Sequence, residues 1–384
     1  MIRKSTKSMI EKLIKLRRHV HQHPEISGEE VNTAASVVTY FKGLNYTQLE
    51  TQVGGNGILV LFDSGNEGKT LLLRAELDGL PIQEENDVAY QSIYKGKGHQ
   101  CGHDGHLTML AGVGSWLSEN PIKSGKVYLL FQPAEENGEG AKAVMEDARF
   151  KHLKIDEVYA LHNLPGYPLG QIVAKENTFT AAVNSIILQL KGKTSHAAEP
   201  EKGHNPSLAV AEILAGIEGY QNNFPELGDF RLATPIYVEM GSQNYGISAG
   251  EAEIHLTLRS WTNEGLDELQ NLVIQLATDI CAQHQLELDY RFVAHFYANI
   301  NQKDCIDAVR NAAKSAQLDL LEQSFPFKWG EDFGIFTTKF KGCMFGLGSG
   351  ENQPALHNPD YNFPDSLLPE GITIFTEIIK NQIH

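Results

Sequence analysis

Short apolar runs recur along the first part of the chain, at 58–62, 70–74, 127–131 and 158–161, and none is long enough to make a helix. Helical segments separate several of them, notably 31–41, which follows Ser27, Gly28 and an acidic turn, and 107–117. Strands that alternate with helices build a sheet covered by helices, so the pattern predicts an α/β fold. Ile10, Leu13, Ile14 and Arg17 add an amphipathic helix near the start.

Between 175 and 180 the rhythm changes. A strand at 185–191, a helix at 206–220, strands at 235–240 and 253–259, a helix at 265–284 and a strand to 292 follow in the β-α-β-β-α-β order of a ferredoxin-like unit. A helix at 304–316, a strand at 343–347 and a helix at 365–379 return to the α/β style. The expected architecture is an α/β domain over 1–176 and 294–384, interrupted by an α+β insertion at 177–293.

Composition narrows the function. With 32 Lys and Arg against 48 Asp and Glu in 384 residues, the net charge is −16, which repels a phosphate backbone and an anionic membrane surface and argues against both partners. Four widely spaced cysteines do not make a disulfide framework, and residues 1–18 lack the apolar core of an export signal, so a reducing, cytoplasmic location is expected. No stretch is apolar for long enough to span a bilayer.

The densest chemical cluster is HQCGHDGH (99–106), one thiol, three imidazoles and a carboxylate beside glycines. Glycine lets the backbone turn so that Cys101 and His103 face one way, and both are good ligands for first-row metals. The helix expected from Leu107 would place its amide donors near the thiol and lower its pKa. In QPAEE (132–136), adjacent carboxylates at a strand end point in different directions, so one can bind metal while the other moves a proton. His162 and His357 each follow a predicted strand, where ligand sites of open α/β sheets gather. Singly, each has a plain structural reading: a buried cysteine, an acidic surface loop, hydrogen-bonded histidines. Jointly, Cys101, His103, Glu136, His162 and His357 suffice for two ions that share the thiolate, leaving Glu135 as base for water and then acid for the leaving nitrogen.

Together with SHAAEP (195–200), GEDF (330–333), LHNPDYNF (356–363), RRHVHQHPE (17–25) and RAELDGLPIQE (74–84), these motifs resemble the aminoacylase and hippurate hydrolase amidohydrolases, a branch of the M20 metallopeptidases. The resemblance covers nearly the whole chain. It implies a zinc exopeptidase-like catalytic domain with a helix-covered mixed sheet, and an inserted ferredoxin-like lid and dimerisation domain. It implies two divalent ions, zinc by donor chemistry with manganese, cobalt or nickel as substitutes. Cys101 would bridge them, His103 and His162 completing one and Glu136 and His357 the other, with Glu135 as general base. His196 matches a histidine that reaches the partner subunit's active site and stabilises an oxyanion, and Arg259 a residue that holds the substrate carboxylate, although a structural salt bridge fits Arg259 equally.

Glu76 stands where the wider family has a metal-binding histidine and is not taken as a ligand. Asp104, His99, His106, Glu331 and Asp332 are expected to support the ligands rather than bind metal. The expected reaction is hydrolysis of the amide of an N-acetyl or N-benzoyl amino acid by a homodimer. A dipeptidase or exopeptidase on the same site is the alternative, and a non-catalytic binder of amino-acid conjugates is disfavoured because it has no use for Glu135.

Overall fold

The computed structural model describes residues 4–224 and 228–383. In chain order the first elements are α1 (Lys4–Gln22), α2 (Val31–Phe41), β1 (Gln48–Val53), β2 (Gly57–Asp63), β3 (Thr70–Glu76), α3 (His103–Glu119), β4 (Lys126–Gln132), α4 (Gly140–Glu146), β5 (Glu157–Pro165), β6 (Ile172–Ala174) and β7 (Asn177–Thr180). Next come β8 (Ala182–Lys191), β9 (Ser195–His196), α5 (Ser207–Ile217), β10 (Arg231–Met240), β11 (Ile247–Ser248), β12 (Glu251–Ser260), α6 (Asn263–Gln283) and β13 (Glu287–Phe296). The chain closes with β14 (Asn299–Asn301), α7 (Lys303–Ala316), β15 (Leu320–Glu322), α8 (Gly334–Thr337), β16 (Lys341–Gly350) and α9 (Leu368–Gln382).

These elements form two compact units: Met1–Phe179 with Asn299–Ser324 and Asp332–His384, and Thr180–Ala298 with Phe325–Glu331. The larger unit holds a mixed eight-stranded sheet in the order β1-β2-β4-β3-β5-β16-β6-β15. Its central strands β4, β3, β5 and β16 run parallel to one another, so their carboxyl ends share one edge. β5 is buried through its first eight residues, the pattern of a strand with both faces covered. Helix α7 buries Cys305, Ile306, Val309 and Ala312, one stripe at helical spacing.

Helix α3 is buried on nearly every side, and its glycines make that possible. A methyl group at Gly105 would lie 2.4 Å from the Phe363 ring, one at Gly112 2.4 Å from Ile372, and one at Gly114 2.6 Å from Phe41. Helix α2 starts at Val31 without an acidic first turn. The Glu25 carboxylate instead accepts from the backbone N–H of Thr33 at 2.8 Å and of Asn32 at 3.2 Å, satisfying donors that a helix start leaves open.

In the smaller unit β8, β10, β12 and β13 form an antiparallel sheet in the order β10-β12-β8-β13, the ferredoxin-like arrangement of a β-α-β-β-α-β chain. Inward-pointing residues of β12 are buried and alternate with half-buried ones. Thr262 caps α6 by accepting from Gly265 N at 2.9 Å. Segment 325–331, far downstream in sequence, belongs to this unit because Ala181 N donates to Phe327 O at 3.0 Å and to Trp329 O at 3.1 Å. Among the described residues no helix is long and apolar enough to cross a membrane.

The close approach of α3 to Phe363 is testable by Gly105→Ala. The added methyl should lower the denaturation midpoint, with a loss of about 1–3 kcal/mol from overpacking. An unchanged midpoint would show that the ring has room to move.

Candidate metal centre

The parallel strands deliver their chemistry to one edge of the sheet. Glu76 ends β3 and Asp78 follows it, Glu135 and Glu136 lie just beyond β4, His162 sits in the last half of β5, and His357 follows β16. Cys101 lies near the end of the irregular stretch 77–102, and His103 opens α3 directly after it. Backbone beside the ligand candidates adopts positive φ at Gly102 (94°), Ala134 (52°) and His357 (66°). A side chain on Gly102 would also lie 2.7 Å from the Asn163 amide, so the residue between the two ligand candidates has to be glycine. The unfavourable conformations of Ala134 and His357 are held by their surroundings. Ala134 N donates to Glu30 at 2.8 Å, and His357 N donates to the Gln100 carbonyl at 2.9 Å.

Two groups of potential ligand atoms meet at the thiol. Cys101, His103 and His162 form one, and Cys101, Glu136 and His357 the other, each with its donor atoms within 4.8 Å of one another. Cys101 Sγ is 3.6 Å from His162 Nε2, and His357 Nε2 is 3.6 Å from Glu136 Oε1. His103 Nε2 lies 3.8 Å from both Glu135 Oε2 and Glu136 Oε1. The other ring nitrogens fix the orientations: His103 Nδ1 donates to Asp78 O at 2.9 Å and His162 Nδ1 to Asn163 O at 2.9 Å, so both Nε2 atoms face the thiol and the glutamates.

The donor set fits divalent cations. His103 Nε2 is buried without a hydrogen-bond partner, an arrangement that costs about 1–3 kcal/mol unless something binds there. Burial and the nearby Glu136, Glu135 and Glu76 push the Cys101 thiol well above its ordinary range; a bound cation supplies the opposite influence and favours thiolate. Burial lowers the His103 pKa, but Asp78 and Glu76 outweigh it and carry it to about 10. His162 is pushed well down by burial and His106, which leaves a neutral ring suited to a metal. The expectation that helix donors lower the Cys101 pKa is corrected. Helix α3 begins at His103 rather than Leu107, and burial among carboxylates dominates.

Glu76 does something else. It is fully buried, pairs with Arg74 and accepts from His106 Nδ1 at 2.7 Å. Arg74 in turn binds Asp332 at 2.6 Å and Gln132 at 2.9 Å, and Asp332 accepts from Ala141 N at 2.9 Å. This network pins the ends of β3 and β4 beneath the site. Asp78 joins the two halves of the cluster. Its carboxylate accepts from Glu136 N at 3.0 Å and Ser27 Oγ at 2.7 Å while its carbonyl receives His103. Sequence reasoning assigned Asp78 no role; its signal was its place two residues beyond β3 in a run shared with Glu76.

His196 and Arg259 lie in the smaller unit. His196 is exposed on β9, and its Nδ1 accepts from Ala198 N at 3.1 Å, which puts the proton on Nε2 and makes that atom a donor. Arg259 is half-buried. No ion pair to a carboxylate accompanies it among the described residues, and its Nη1 donates to Lys328 O at 2.9 Å.

Comparison with known proteins places these features in a family. The model of peptidase family M20/M25/M40 matches residues 72–381. The N-acetyldiaminopimelate deacetylase of Streptococcus uberis is 31% identical, the match covering 96% of this chain and 99% of that protein. The enzyme of the same name from Listeria innocua is 29% identical over 97% of this chain and its own full length. Among solved structures, a Bacillus subtilis protein described as a dinuclear metal binding peptidase from the M20 family shares the fold with a TM-score of 0.83 at 24% identity, over 97% of both chains. An aminobenzoyl-glutamate utilization protein from Klebsiella pneumoniae does so with a TM-score of 0.74 at 18% identity, over 99% of this chain and 98% of that one. The chain belongs to the peptidase M20/M25/M40 family, in its amidohydrolase branch.

Proposed function

We propose that this hydrolase removes the acyl group, acetyl first among candidates, from the amino group of an amino acid. The observation that carries the reading is the thiol of Cys101, shared by two groups of donors with Glu135 beside them. Cys101, His103 and His162 would hold one divalent ion and Cys101, Glu136 and His357 the other. Such ions polarise a carbonyl and acidify water when bound. Zinc fits the mixed donors best.

The protein's own groups then do the rest. Glu135 is buried, with its Oε1 accepting from Asp332 N at 3.4 Å, so one oxygen is anchored while the other faces the ligand cluster. From there it takes a proton from the attacking water and returns it to the leaving nitrogen. His196, with Nε2 as donor, is assigned to the developing oxyanion in the partner subunit's site, and Arg259 to the substrate carboxylate. The names of the relatives favour an acetylated diamino dicarboxylic acid, whose carboxylates suit Arg259.

A homodimer is part of the proposal. The edge strand β10 leaves Ile236, Tyr237, Val238 and Met240 exposed, a surface suited to a second copy. The smaller unit is assigned the lid and dimerisation role, and the larger one the catalysis. A cytoplasmic location accords with four free, buried cysteines.

The test is hydrolysis across N-acetyl and N-benzoyl amino acids, N-acetyldiaminopimelate and dipeptides, with and without chelator. Metal-loaded protein should release free amino acid from the acetylated substrates, and Glu135→Gln should lower kcat about 10²-fold or more while retaining metal. Cleavage confined to dipeptides would favour the peptidase alternative, and no turnover of any amide would overturn the proposal. Arg259→Ala should raise KM about tenfold or more with a smaller change in kcat, and His196→Ala should do the reverse. Equal effects of both on KM would remove the division of roles.

A further inference from the structure

The motif RRHVHQHPE has no part in the chemistry above, yet it lies against the ligand-bearing turn. Arg17 and His21, on the last two turns of α1, are fully buried, and both reach Asp104, the neighbour of His103. Arg17 Nη1 donates to Asp104 Oδ2 at 2.9 Å, and His21 Nδ1 meets the same oxygen at 2.8 Å. The second nitrogen of His21 lies 2.9 Å from Glu84 Oε1. Glu84 organises the irregular stretch before Cys101: its carboxylate accepts from Ser92 N at 2.6 Å and from the Asn86 amide at 3.1 Å. That stretch is also tied to the segment bearing His357, since Glu85 N donates to Pro359 O at 2.9 Å and the Asn86 amide to Tyr361 O at 3.0 Å.

We infer that His21 is a positioning residue, a buried imidazolium that clamps the turn carrying Cys101 and His103 to the loop carrying Glu84, and so holds the metal ligands in register. The inference rests on the reading of Cys101 and His103 as ligands. Charge balance supports it. Arg17 also binds Asp365 at 2.5 Å, and Arg18 binds Asp365 at 2.7 Å, so three carboxylates, Asp104, Glu84 and Asp365, stand against two arginines. His21, held between Asp104 and Glu84, is the group placed to supply the third positive charge. A neutral ring could donate from only one nitrogen and would set the lone pair of the other against a carboxylate oxygen 2.8 or 2.9 Å away.

The groups facing His21 are Asp104 from α3, Glu84, Tyr90 and His99 from the 77–102 stretch, and Arg17 from its own helix; the Tyr90 ring lies 5.3 Å away and the His99 ring 6.2 Å. Burial and Arg17 oppose the charge, but Asp104 and Glu84 prevail and raise the His21 pKa to about 9. Because the folded value lies above the ordinary 6.5, the clamp is intact below that pH and is lost as pH rises through about 9.

The test is titration of the metal-free protein with cobalt, buffered by a competing chelator and read by the thiolate-to-cobalt absorption, from pH 6 to 10. Wild type should bind more tightly as its ligands lose protons, then more weakly above about pH 9. His21→Gln should bind about 10- to 100-fold more weakly at pH 7 and show no alkaline decline. Glu84→Gln leaves His21 its Asp104 partner, so it should fold if His21→Gln does not, and should move the decline to lower pH. Circular dichroism melting separates the clamp from general stability. Variants that melt earlier yet bind cobalt with wild-type affinity and pH profile would overturn the inference. Wild type that binds cobalt without thiolate absorption would overturn the ligand reading, and this inference with it.

Discussion

A buried thiol crowded by carboxylates is the constraint on which the larger unit turns. Cys101, Glu135 and Glu136 share a small volume with three imidazoles, and burial together with the glutamates keeps the sulfur protonated unless positive charge arrives. The fold supplies fixed positive charge to the carboxylates around this group. Arg74 neutralises Glu76, which also accepts a hydrogen bond from His106, while Arg17 and His21 serve Asp104. What remains is a concentrated set of soft and hard donors left for cations, which family membership also leads one to expect.

Placing that set demands several backbone arrangements at once. Four parallel strands bring their carboxyl ends to one edge, so residues from 76 to 357 converge there. Left-handed backbone at Gly102, Ala134 and His357 then aims side chains that an extended chain would turn away. Asp78 is the hinge pin of the arrangement, holding the backbone of Glu136 with its carboxylate and the ring of His103 with its carbonyl. Conformational cost at the site is offset in the packing beneath it, where α3 is buried against α1, α9 and the sheet.

Much of this was legible in the sequence. Apolar runs at 58–62, 70–74, 127–131 and 158–161 lie within β2, β3, β4 and β5, because strands buried on both faces read as continuous apolar segments. The ferredoxin-like order of the insertion was equally readable from alternating periods. Less visible were β1, β6, β9 and β15, which are short or half-exposed and carry no strong period. The start of α3 was misplaced by four residues because His103 to His106 read as ligand chemistry rather than as helix. Segment 325–331 gave no hint of its unit, since it is joined there by backbone hydrogen bonds instead of side-chain pattern. The ligand candidates were found by residue type and position after strands; the roles of Asp78, Glu76 and His21 needed coordinates, because they act through buried hydrogen bonds between residues far apart in sequence.

The most direct measurement is a crystal structure of the metal-loaded protein with anomalous scattering collected at the metal edge. Two peaks about 3.5–4 Å apart, with Cys101 Sγ about 2.3 Å from each, are the result this account predicts. A single peak, or a sulfur bound to one ion and remote from the other, would contradict it.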